Sequence, residues 1–278
     1  MTDTIDTILL FREALYGALV IALACSVLGV YVVLRRIVFV GAALAQLSSA
    51  GIALGMFLYG LGIGGELTHH PVAMALIVTI AGAMFFGVGG GGRGGVPPDA
   101  VIGVTYVVAA AAGILLIAKA QVGEAHDIFL QGNILGITTS DTVELLVVCI
   151  PVVIALFVFQ KELLFTSFDP ETARTLGYRV TLWDLAFYLV LGVVISVSMQ
   201  FAGVLLVFNF LVLPAVTGLL LARTMGGTFL VSLGAALLAA VVGFALSIPF
   251  DLPTGPAMIT VSGALVVLAW LVRKAQKQ

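Results

Sequence analysis

The side chains best suited to holding a cation fall in two short clusters: Glu66 with the adjacent His69 and His70, and Glu124 with His126 and Asp127. Imidazole and carboxylate are both acceptable ligands to first-row transition metals, so either cluster could capture such an ion transiently. Adjacent loop histidines are, equally, ordinary solvated groups. A second set is polar and set within apolar sequence: Gln46, Ser48 and Ser49 in one run, Asp99 at the edge of another, and Asn209 with Thr217 further on. Groups of this kind either line a water-filled path or bond one helix to the next. Cys25 and Cys149 lie in long apolar runs and read as small buried hydrophobes. Catalytic chemistry finds no footing: no histidine falls in an apolar run, GxSxG is absent, and no catalytic residue is expected. The glycine run GVGGGGRGGVPPD at 87–99 lacks the Lys-Ser/Thr of a phosphate loop and reads as a flexible connection, so neither nucleotide nor nucleic acid is expected to bind here.

The elements that must position these groups follow from composition. Of 278 residues, 62% are apolar and only 9% charged, with a mean hydropathy of +1.24. A soluble domain with that balance would expose apolar surface that water does not tolerate, so the solvent is lipid. The apolar stretches are continuous rather than alternating, which favours spanning helices over a barrel, and helices satisfy their own backbone groups. Runs at about 14–34, 41–61, 71–88, 100–118, 142–159, 182–200, 202–222, 228–249 and 254–272 predict an all-α polytopic bundle of eight or nine spanning helices. The uncertain pair is 182–200 and 202–222, separated by little more than Gln200 and Gly203.

Charge supplies the orientation. With Arg35 and Arg36 placed in the cytoplasm and nine crossings alternating, Arg93, Lys161, Arg174, Arg179, Arg223, Arg273, Lys274 and Lys277 fall on the same side. Only Arg12 and Lys119 of the 12 basic residues are then outside, and the C-terminus is cytoplasmic. The three histidines and most acids face outward, where they could concentrate cations. The acidic N-terminus lacks the basic start of a signal peptide and is expected to stay in the chain.

The one long charged stretch between apolar runs, 161–184, holds a capped short helix. Asp169 suits the N-cap, Pro170 the first helical position, and Glu171 the positive first turn. Arg174 lies toward the carbonyl end, and Gly177 suits a left-handed stop. Local chemistry alone allows either an interfacial loop helix or a docking element.

The run SFDPETARTLGYRV, followed by FAGVLLVFNFLVLPAVTGLLLART and DLPTGPAMITVSGALVVL, resembles the permease family of zinc, manganese and iron ABC importers. So do GVYVVLRRIVFVGAALAQLSSAGIALG near the N-terminus and FLQGNILGITTSD in the middle, in the same order from about residue 15 to 273. The resemblance implies one permease domain over 1–278 in a bacterial cytoplasmic membrane, with a cytoplasmic coupling segment at 161–181. Within that segment Asp169, Glu171, Ala173, Arg174 and Gly177 would meet a separate ATPase, and small Ala173 and Gly177 would let its surface approach closely. It further implies a homodimer, two ATPase subunits that carry the ATP, an extracytoplasmic metal-binding protein, and a divalent metal ion as cargo. The translocation path would include Gln46, Ser49, Asp99 and Asn209. Members of the family often carry Asp and His where this chain has Ala42 and Gln46, so tight ligation there is not expected. Two other readings stay open: a permease for a metal chelate such as a siderophore or cobalamin, and an ion-gradient transporter.

Overall fold

The computed structural model describes residues 11–63, 71–90, 96–120 and 134–276. Within them are α1 (Arg12–Leu34), α2 (Val40–Gly60), α3 (Pro71–Phe85), α4 (Pro98–Ala120), α5 (Thr139–Val158), α6 (Gln160–Phe168), α7 (Pro170–Thr175), α8 (Val180–Leu221), α9 (Met225–Ser247) and α10 (Thr254–Ala275). No strand occurs among the described residues. All but the short α6 and α7 belong to stretches long and apolar enough to cross a membrane, α3 together with the π-helical turn that follows it over Val72–Gly89, which gives eight candidate spans among the described residues. The chain is therefore an all-α polytopic bundle, as its composition requires.

The central position goes to α1 and α2, the most enclosed of the spans, while α4, α5 and α10 present most of their surface outward. Small residues make the enclosure possible. A Cβ on Gly29 of α1 would lie 1.9 Å from the Leu211 carbonyl oxygen of α8, so only glycine lets these two backbones touch.

Helix α8 settles the uncertain pair of runs. Its 42 residues would extend about 63 Å if straight, roughly twice the hydrocarbon thickness. It is not straight: Gly203 has φ 74° and ψ 165°, outside helical geometry and in a region essentially reserved for glycine. The contacts show that the chain turns back there. The first arm starts level with the end of α1, where Asp184 meets Arg35. The second arm returns to the same end, with Leu211 against Gly29 and Gly218 against Thr228 at the start of α9. Phe229 then packs on Tyr31, and Ser232 donates to the Ser26 carbonyl at 3.2 Å, so α9 climbs alongside α1. The eight candidate spans among the described residues thus contain nine arms. Arg223 and Arg273 line one small cavity of about 230 Å³, which puts the C-terminal helix end on the same side as Arg35.

Candidate functional site

Two features stand apart from simple packing: the capped helix that projects from one end of the bundle, and a groove along α2.

Helix α7 is stopped at both ends by its own sequence. Asp169 accepts from the Thr172 backbone N–H at 3.0 Å and from its hydroxyl at 2.6 Å, and Pro170 occupies the first helical position. The bonds from Thr172 hold the Asp169 carboxyl below its ordinary range. At the other end Gly177 has φ 87°, the Tyr178 N–H donates to the Ala173 carbonyl and the Gly177 N–H to that of Arg174, the two bonds of a Schellman stop. Glu171, Arg174 and Gly177 are exposed, as are the apolar side chains of Phe168, Leu176 and Tyr178 around them. Ala173 differs from the expectation. It is fully buried within the chain, so its small size serves internal packing and not approach by a partner.

Two turns of helix need an anchor, and Arg35 provides it. From the end of α1 its Nε donates to Ser167 Oγ of α6 at 2.8 Å, and its Nη1 meets Asp184 of α8 at 2.6 Å. The guanidinium also lies 4.4 Å from the centre of the Phe187 ring. Ser167 is three residues from the start of α7, so the projecting helix is tied to the first span and to the first arm of α8. Sequence reasoning took Arg35 only as a marker of orientation. A basic residue ending one span and an acid beginning another, both at one membrane edge, was the available signal, but nothing local joins residues 149 positions apart.

The groove has a volume of about 640 Å³ and is lined by Phe39 at the cap of α2 and Ala42 within it, Asp99 and Gly103 of α4, and Leu205 and Phe208 of the second arm of α8. Phe39 and Phe208 stack with ring centres 6.4 Å apart. Asp99 is exposed in the first turn of α4. Residues 42, 46 and 49 share one face of α2, so Gln46 and Ser49 continue inward from the groove-lining Ala42. Both are buried, and neither side chain makes a hydrogen bond among the described residues. Neighbouring Ser48 instead shares a hydrogen bond with Ser196 at 3.0 Å, binding α2 to α8. Asn209 departs from the expectation of a path residue. It donates to Ser262 of α10 at 3.1 Å, away from the groove, and acts as a tie between helices.

No cluster of three or more His, Cys, Asp or Glu occurs among the described residues. His69, His70, His126 and Asp127 lie outside those residues.

Residues 7–273 match the model of the ABC 3 transport family. The manganese import system permease protein ScaB of Streptococcus gordonii is 28% identical over 269 residues, covering 96% of this chain and 92% of that protein. The manganese transport system membrane protein MntB of Synechocystis sp. is 29% identical, covering 93% and 81%. Among solved structures, PsaBC from Streptococcus pneumoniae in complex with Fab has the same fold, with a TM-score of 0.81 at 24% identity over 97% of this chain and 95% of that one.

Proposed function

The chain belongs to the ABC 3 transport family, and from that premise we propose that it is the membrane-spanning permease of an ATP-driven importer that carries a divalent transition-metal ion into the cytoplasm. Family membership removes the ion-gradient alternative. The names of its similar proteins favour a free ion over a chelate, and manganese over zinc or iron. The chemistry of the groove agrees: its polar lining side chains, Asp99 and Tyr106, offer oxygen donors only, which suit manganese better than zinc.

The observation that carries the reading is the exposed, doubly capped α7, anchored through Arg35 to the spans. In this reading α7 is the coupling helix and seats in a groove of a separate ATPase subunit. ATP-driven closure of two such subunits moves α7 as a rigid piece, and the Arg35 tie passes the motion to α1 and α8. Asp169 and Gly177 hold the helix in shape, Glu171, Leu176 and Tyr178 meet the partner, and Ala173 secures α7 from within.

A paired ATPase needs two coupling helices, and each chain has one, so the transporter contains two permease copies. The groove along α2, open to the outside of a single chain, then faces the second copy and becomes half of the ion's route. A metal-binding protein on the outer face delivers the ion, and the bias of Arg and Lys to one side, ten of the 12, supports a cytoplasmic C-terminus. The chain itself is a transport subunit, with ATP hydrolysis on its partner. Cysteine cross-linking from position 171 or 176 tests the coupling assignment: it should trap the ATPase subunit. Trapping the extracytoplasmic protein instead would place α7 on the wrong side.

A further inference from the structure

Below the bundle, between α7 and the ends of the spans, lies a second cavity of about 650 Å³ that the transport reading leaves without a role. Arg35, Arg174, Thr181, Asp184 and Tyr188 line it. Among the described residues that line it are two guanidinium groups and one carboxylate, already engaged by Arg35 Nη1, while Asp99, next to the lining Pro98, lies close enough for its charge to act on Tyr188. The Arg35 side chain is nine-tenths buried, and its Nη2 has no hydrogen-bond partner, an expensive state for a charged donor. The side chains of Arg174, Thr181 and Tyr188 make no hydrogen bond to other described residues, Arg174 and Thr181 being exposed to solvent. Among the described lining residues, four donor groups therefore surround the space, with the Asp184 carboxylate held at its edge by Arg35.

We infer that this cavity is a binding site for a phosphate group, held between Arg35 and Arg174 with Thr181 and Tyr188 as neutral donors. A phosphate presents several acceptor oxygens and a charge that two planar guanidinium groups recognise well, whereas a single carboxylate would leave donors unmet. The group arrives either as the headgroup of an anionic lipid from the adjacent leaflet or as free phosphate from solution. Bound there, it links Arg174 of α7 to Arg35 at the end of α1 and reinforces the connection between the projecting helix and the spans.

The test uses the full chain in nanodiscs, without its partners. One arm titrates inorganic phosphate into phosphatidylcholine discs by calorimetry at constant ionic strength; the other exchanges phosphatidylglycerol into the discs and counts retained lipid by native mass spectrometry. Saturable binding of one phosphate group per chain is expected in at least one arm, and the arm that responds identifies the source. Arg174→Gln, a change at an exposed side chain, should weaken that binding about tenfold or more, the size of one charge-assisted hydrogen bond. Arg35→Gln should abolish it, with circular dichroism reporting whether the helices remain. Absence of saturable binding in both arms, or binding unchanged by Arg174→Gln, overturns the assignment.

Discussion

Gly177 and Asp169 are the residues on which the coupling assignment can be broken without touching the spans. Gly177 sits at φ 87° with open space around its Cβ position, so its identity answers to backbone conformation and not to crowding. Gly177→Val forces a β-branched residue into left-handed geometry at a cost of about 1–3 kcal/mol. Insertion in the membrane should survive, while ATP hydrolysis by the assembled complex loses its link to transport; normal uptake with substrate-stimulated hydrolysis would refute the assignment. Asp169 adds a pH statement. Its folded value is depressed by the Thr172 bonds, so its capping contribution is complete above the ordinary carboxylate range and is lost only as pH falls through the lowered folded value. Coupling should therefore be insensitive to this group near neutral pH, as transport-to-hydrolysis ratios measured across that range would reveal. At Ala42 and Gln46 the expectation concerns affinity. A neutral amide is a poor ligand, so the unmodified permease should hold its ion weakly, and selectivity should rest with the proposed external protein. Ala42→Asp combined with Gln46→His should create metal affinity measurable by calorimetry in the isolated permease. A tight stoichiometric site in the unmodified chain, lost in Gln46→Ala, would contradict this.

Gly203 makes the corresponding prediction for a whole element. Because φ 74° with ψ 165° is open to glycine and little else, Gly203→Ala should destabilise the reversal of α8 by about 1–3 kcal/mol and lower the thermal midpoint of the purified permease. A midpoint at or above that of the unmodified chain would mean that the turn tolerates a side chain. The elements were largely legible in the sequence, since continuous apolar runs bounded by charges or Gly and Pro mark the spans directly. The break at Gly203 was marked but not decided, because one glycine between two apolar runs looks the same in a straight helix and in a reversal; the contacts of both arms with the end of α1 and the start of α9 distinguish them. The α7 caps were legible for the same local reason that they work: Asp169-Pro170 and Gly177 act within one turn of their own positions. Asn209 and Ala173 were misplaced because polarity and size along a helix do not say which neighbour a side chain meets. Asn209 turns to Ser262 and Ala173 turns inward, and both facts belong to packing.

At the scale of the molecule, the proposed coupling role of α7 and the open groove predict a second copy. Native mass spectrometry of the assembled transporter should find two permease chains, and one chain per transporter would remove the account of the path. The central claim is ATP-driven import of a divalent transition-metal ion, and uptake by proteoliposomes containing the permease, its ATPase and its metal-binding protein tests it most directly. Manganese should accumulate when ATP is supplied on the cytoplasmic side and fail to accumulate without ATP or without the binding protein. Uptake that proceeds without ATP, driven by an ion gradient alone, or ATP-dependent uptake of a metal chelate with no uptake of free manganese, zinc or iron, would contradict it.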